Sequence, residues 1–272
     1  MNLSKKYSRV LTIAGSDSGG GAGIQADLKT FAANGCYGMS VITALTAQNT
    51  LGVTGIHAVP VDFVTAQLDA VLGDIGTDAV KVGMLFSPEL IHAVAQGLIR
   101  HQVRVIVLDP VMVAQSGDKL LQDEAIDALK TALIPLATLI TPNLPEAGVL
   151  LGRDIATPEA AQSAARDLAA LGPANVLVKG GHLESGDSDD CLYLGAEDRM
   201  VRLQGERIAT RNNHGTGCTL SSAIAAHLAK GEDMETAVRH AKEYISGAIR
   251  AGAFYSLGQG HGPVHHFFRF FG

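Results

Sequence analysis

The feature that most narrows the fold is a series of short β-branched runs without strand-like polar alternation, separated from Arg9 onward by amphipathic stretches. Apolar runs of this kind are strands buried on both faces. Set between amphipathic segments, they give repeated βαβ units around a mostly parallel central sheet, with helices on both faces. Strands are expected at Val10–Ala14, Met39–Ala44, Ala79–Val82, Val105–Leu108, Leu139–Thr141 and Val176–Lys179. Helices are expected at Ile24–Asn34, Val61–Gly73, Pro88–Arg100, Asp123–Ala132, Pro158–Leu171 and Thr219–Lys230, with a hairpin or small β flap at Asp187–Arg207.

With 272 residues, 47% of them hydrophobic, the chain can bury the core of one large α/β domain spanning 1–272. Its net charge of −6 argues against a nucleic-acid or membrane-surface binder. Cys36, Cys191 and Cys218 are an odd number at wide spacing, which suits a reducing compartment, so the cytoplasm is expected. The apolar run after the N-terminal lysines, Val10–Ala14, is too short for a signal segment, and no targeting signal is expected.

In such sheets ligands sit at the carboxyl ends of the strands. The first strand runs into a glycine-rich loop, Gly15 to Gly23, that lets a ligand approach backbone. Gly21, Gly23 and Ala26 fit a relaxed dinucleotide fingerprint, but no acidic residue occurs between Asp27 and Asp62, which argues against a nicotinamide cofactor. Asp27 is either a substrate anchor or a favourable charge early in a helix. The amides of Gln48 and Asn49 either read a planar heterocycle or build a turn. Met84 is either core or a platform under a ring. Asp109 and Glu146, on neighbouring strand ends, suit Mg²⁺ held largely through water and phosphate, although Asn143 with Glu146 also fits a helix cap. Lys179 is either a phosphate contact or a solvated strand end.

Near the end of the chain, Arg211 to Ser222 places Gly215, Thr216, Gly217 and Cys218 directly before an alanine-rich helix. That layout is an anion cradle, with free N–H groups and the helix dipole aimed at negative charge, or else a plain strand-to-helix connection. A magnesium pair, a cationic strand end and a glycine cradle are together the parts phosphoryl transfer needs. A P-loop is excluded because the chain has no Gly-Lys dipeptide, and a cysteine phosphatase is disfavoured by Ile224 six positions after Cys218.

The Gly-Thr-Gly-Cys stretch, Asn143-Leu144-Pro145-Glu146 and the first glycine loop resemble the ribokinase-like superfamily of small-molecule kinases. Within it, Ala14 to Asp27, Ala47-Gln48-Asn49-Thr50, Asp109-Pro110-Val111-Met112 and Gly260 to His266 are similar to the hydroxymethylpyrimidine/phosphomethylpyrimidine kinases of thiamine biosynthesis. The resemblance implies ATP- and Mg²⁺-dependent phosphorylation of 4-amino-5-hydroxymethyl-2-methylpyrimidine, then of its monophosphate to the diphosphate. It implies that Gly15, Asp27, Gln48 and Met84 hold the pyrimidine. Asp109, Asn143, Glu146, Lys179 and Thr216 would serve nucleotide and metal, with Asp109 and Glu146 on the ion. Gly215, Thr216, Gly217, Cys218 and Lys179 would act at the reacting phosphoryl.

Cys218 stands where most of that superfamily has an aspartate base. A helix N-terminus lowers a thiol's pKa, but the incoming phosphoryl charge opposes a thiolate, so Cys218 is read as a weak base or an orienting group. His214 is read as a loop or lid contact, and His261, His265 and His266 as part of a docking tail. Leu194, after Tyr193, departs from an acidic residue expected in many relatives. The resemblance also implies a homo-oligomer, a dimer. A pyridoxal kinase of the same fold and a non-catalytic pyrimidine-binding module are the alternatives.

Overall fold

The computed structural model describes residues 5–112, 124–181 and 188–271. The chain runs β1 (Arg9–Asp17), α1 (Gly23–Ala33), β2 (Tyr37–Asn49), β3 (Gly52–Ala58), α2 (Val61–Asp74), β4 (Ala79–Val82), α3 (Pro88–Arg100), β5 (Ile106–Leu108) and α4 (Glu124–Ala128). It continues through β6 (Leu139–Ile140), α5 (Leu144–Leu151), α6 (Pro158–Ala169), β7 (Asn175–Val178), β8 (Asp190–Leu194), β9 (Arg199–Leu203), α7 (Thr216–Ala229) and α8 (Met234–Gly252). Among the described residues the strands form one sheet in the order β3-β2-β1-β4-β5-β6-β7-β8-β9. The six strands from β2 to β7 in that order are parallel, while β3, β8 and β9 pair antiparallel at the edges.

The central strands alternate in destination rather than in polarity, which is why their sequences read as continuous apolar runs. Leu11, Ile13, Val80, Val82, Ile106, Leu108, Ile140, Val176 and Val178 pack on one face with α2, α3, α5 and α6. Val10, Ala79, Val107, Leu139 and Leu177 pack on the other with α1, α7 and α8. Phe31 of α1 and Tyr244 of α8 are fully buried in that second layer, each contributing roughly 1.5–3 kcal/mol through apolar burial.

Most expected elements stand where their periodicity put them, and the differences have physical causes. β2 runs past Ala44 to Asn49 because it folds back onto β3 as a hairpin, and an edge strand in water tolerates the polar residues that read as a turn. The hairpin expected from 187 to 207 forms as β8 and β9, continuing the sheet; Asp187 lies outside the described residues. Helix α4 passes directly into a π-helical turn at Leu129–Leu133, and Asp123, its expected start, also lies outside them. Helix α7 begins three residues early, at Thr216, so Cys218 belongs to its first turn. The longest helix, α8, is absent from the expected set, although Ala237, Val238, Ala241, Tyr244, Ile245 and Ala248 repeat on one buried face.

Candidate active site

Strand parity puts polar residues under α1 and α7. Two residues beyond Val10, Ala79, Val107, Leu139 and Leu177 come Thr12, Lys81, Asp109, Thr141 and Lys179, on five adjoining strands. They therefore turn to the face those helices cover. A cavity of about 860 Å³ opens at this end of the sheet, lined by Lys81, Asp109, Glu146, Lys179 and the first turn of α7.

Beneath its floor Asp27 is sealed from solvent. Its carboxylate accepts hydrogen bonds from Thr12 Oγ1 at 2.6 Å and Ser222 Oγ at 2.7 Å, and Lys81 Nζ lies 3.0 Å from both oxygens. Burial works against the Lys81 charge, but the fields of Asp27, Cys218 and Asp109 outweigh it and raise its pKa. The side chain expected to anchor a substrate is thus consumed by internal partners and does not line the cavity.

At the right-hand strands of the sheet order, β5, β6 and β7 (β2, β1 and β4 being the left-hand ones), Lys179 Nζ donates to Asp109 Oδ1 at 2.8 Å and stands 4.0 Å from Glu146 Oε2. Thr141 Oγ1 and Ser221 Oγ also donate to Asp109, at 3.1 and 3.2 Å. Burial opposes the Asp109 charge, yet Lys179 and Lys81 hold its pKa below the ordinary carboxylate value. Glu146 behaves differently. Burial, reinforced by Asp109 and only partly offset by Lys179, pushes it up to about 7. The cap foreseen for Asn143 is present as well: Asn143 N donates to Glu146 Oε2 and Glu146 N to Asn143 Oδ1, both at 2.8 Å.

The cradle itself depends on Gly215, which caps α7 with φ +79°. A Cβ there would meet the Gly21 carbonyl oxygen at 1.9 Å, so the two glycine loops interlock through bare backbone. Gly217 faces the phosphate end, where a Cβ would stand 3.4 Å from Lys179 Nζ and 3.7 Å from Asp109 Oδ2. Cys218 follows on the cavity wall. Burial pushes its thiol up to about 11, against the pull of Lys81 and with Asp27 and Asp109 adding to the rise. The lowering expected from the helix N-terminus is outweighed, and at neutral pH the group is a thiol.

At the left-hand strands Gly15 and Met84 meet directly, since a Cβ on Gly15 would stand 2.8 Å from Met84 Cε. Gln48 sits at a bulge between Ala47 and Gln48 in the β2–β3 pairing, a device that re-aims a side chain. Its backbone is clamped by Ser18 Oγ, and its Nε2 stands 3.5 Å from Nε2 of His214. His214 in turn lies 2.8 Å from Asp17 Oδ2, which also accepts from the Gly21 and Ala22 backbones. That occupied nitrogen fits a loop contact.

The structure therefore gathers Gly15, Gln48, Met84, Asp109, Asn143, Glu146, Lys179 and Gly215 to Cys218 around one cavity, and sets Asp27 below it. Lys81, Ser221 and Ser222 were missed by sequence reasoning. A lysine inside the four-residue apolar run Ala79–Val82 was the available signal. The tail does dock: His266 is buried, His214 N donates to the Gly262 carbonyl at 3.0 Å, and His265 stacks edge-on to Tyr255. Leu194 is buried in β8, where an acidic side chain would have no water. Among the described residues no helix is long and apolar enough to cross a membrane.

Residues 17–265 match the family model described as phosphomethylpyrimidine kinase. The hydroxymethylpyrimidine/phosphomethylpyrimidine kinase of Rhizobium meliloti is 55% identical over 260 residues, covering 95% of this chain and 97% of that protein. The thiamine biosynthesis bifunctional protein ThiED of Geobacter sulfurreducens is 56% identical over 257 residues, 94% of this chain, and the match spans only 52% of that longer protein. Among solved structures, an ADP complex of Bacillus subtilis pyridoxal kinase superposes with a TM-score of 0.89 at 40% identity, over 97% of this chain and 100% of that one.

Proposed function

The chain belongs to the phosphomethylpyrimidine kinase family, and we propose on that footing how its own residues divide the reaction. It is a kinase of thiamine biosynthesis with the ribokinase-like α/β fold. It phosphorylates hydroxymethylpyrimidine from ATP and then phosphorylates the monophosphate to the diphosphate. The pyrimidine lies at the left-hand strands, with Met84 against the ring, Gln48 offering its amide and Gly15 leaving room for the ring. The nucleotide lies at the right-hand strands, with Lys179, Asn143 and Thr216 toward its phosphates. The ADP complex of the pyridoxal kinase neighbour supports nucleotide binding by this architecture.

As the hydroxyl attacks, charge grows on the transferred phosphoryl oxygens. The backbone N–H groups of Gly217 and Cys218, in the first turn of α7, and the Lys179 ammonium receive it. Cys218, a thiol at neutral pH, orients the hydroxyl and serves at most as a weak base. Asp27 acts through Lys81 beneath the floor rather than by touching the ring. The donor set fits Mg²⁺: Asp109 and Glu146 are hard oxygen ligands that line the same cavity. Held by those two carboxylates, largely through water, the ion would neutralise the nucleotide phosphates.

The observation that carries the assignment is the Lys179–Asp109 contact at 2.8 Å beside the glycine-capped start of α7. We further assign the chain to a single cytoplasmic domain working as a dimer. The position of β3 as the last strand of the sheet among the described residues, and the exposed Leu45, Ile56 and Phe63, support the self-association, which sedimentation tests. The activity is tested by ADP release with Mg²⁺-ATP and hydroxymethylpyrimidine, its monophosphate, or pyridoxal. Turnover on the first two is expected; turnover on pyridoxal alone would move the enzyme to vitamin B6 salvage, and tight binding without turnover would make it a sensor.

A further inference from the structure

At the opposite end of α7 from the cradle, three side chains with no part in the cavity converge. His227 Nδ1 lies 2.8 Å from Glu232 Oε1, and His240 Nδ1 lies 2.8 Å from Glu232 Oε2. The prospective ligand atoms of the three residues all fall within 4.8 Å of one another. The residues come from the last turn of α7, the loop after it and the second turn of α8, so the fold brings them together. We propose that His227, Glu232 and His240 form a binding site for a divalent transition-metal ion, Zn²⁺ by preference.

The donor chemistry selects the ion. Two imidazoles and one carboxylate suit Zn²⁺, with bond lengths of about 2.0–2.2 Å and an open fourth position for water. They suit the oxygen-seeking Mg²⁺ of a kinase poorly. The site is half prepared. The carboxyl end of α7 carries the negative end of its dipole, which favours a cation there. Among the described residues, His227 Nε2 is the buried side-chain polar atom without a hydrogen-bond partner. Such an orphan costs about 1–3 kcal/mol. Coordination would exchange the two contacts to Glu232 for metal bonds, with each neutral ring carrying its proton on Nε2. Lys230 Nζ, 4.0 Å from Glu232 Oε1 and partly exposed, is free to swing away. The ion would then tie the end of α7 to α8.

The test is calorimetric titration of tag-free, chelator-treated full-length protein with ZnCl₂, paired with thermal unfolding. His240 is about half exposed, so His240→Ala should fold and keep its basal kinase turnover, since none of the three residues lines the cavity. Wild type should bind one Zn²⁺ per chain, and both His240→Ala and Glu232→Gln, each lacking a ligand, should lose stoichiometric binding, with a Zn²⁺-dependent rise in Tm confined to the wild type. Wild-type protein without stoichiometric binding, or equal binding and equal Tm shift in His240→Ala, would overturn the proposal and leave a hydrogen-bonded tie between two helices.

Discussion

Lys81 places its ammonium 3.0 Å from both carboxylate oxygens of Asp27, with the two side chains 1% and 0% exposed. The pair sits one helical turn below Cys218, because Ser222, four residues on in α7, donates to the same carboxylate. Lys81 is at once part of the packing and part of the cavity lining, while Asp27 lies beneath it.

Removing one member of a buried pair strands the other charge, which costs about 3–5 kcal/mol. Lys81→Met should therefore destabilise the protein by that amount in urea unfolding. Combining it with Asp27→Asn should restore most of the loss while leaving turnover low. Recovery of full activity in the double variant would remove the pair from any catalytic part.

Lys179→Gln takes away the cation that meets Asp109 at 2.8 Å. Turnover should fall about 10²- to 10³-fold, the usual effect of losing one donor to a developing anion, with pyrimidine affinity nearly unchanged. The measurement is kcat beside a binding titration of the pyrimidine alone.

Cys218→Ala should lower kcat by about 10²-fold, the lower end for a proton-transfer group, and hardly alter pyrimidine affinity. Because burial pushes the thiol up to about 11, alkylation by iodoacetamide should be slow at neutral pH and rise about tenfold per pH unit, levelling off only near pH 11. Rapid modification at pH 7 would show a thiolate and reopen the strong-base reading.

His266 supplies the clearest pH signature. Burial drives its pKa from 6.5 to about 3, so the unfolded chain binds a proton that the folded chain refuses. Stability should be full above about pH 6.5 and decline as pH falls toward 3, by about 1.4 kcal/mol per unit from this residue. The difference between wild type and His266→Gln, followed by urea unfolding across that range, isolates the term.

Legibility in the sequence followed a simple physical line. Asp109 and Lys179 were readable because they end apolar runs, and a strand's end shows in one dimension; Gly215 to Cys218 were readable as a glycine turn directly before an alanine-rich helix. Lys81 lies inside a run, and its partner Asp27 is 54 positions away, so the pairing exists only once β4 lies beside β1 and α1. Asp27 was visible, but its surroundings were not. Gln48 was found as a polar residue after a strand, whereas the bulge that aims it belongs to the pairing with β3.

The order of the sheet has an evolutionary consequence. Gly15, Gln48 and Met84 come from β1, β2 and the end of β4, while Asp109, Asn143 and Lys179 follow β5, β6 and β7. Under the proposed assignment, acceptor choice and phosphate handling occupy separate flanks, joined through Lys81 and α7. Mutations can then retune which alcohol is accepted without touching the donor machinery. A lineage could exchange one vitamin precursor for another on this scaffold through a few substitutions near the β2–β3 hairpin.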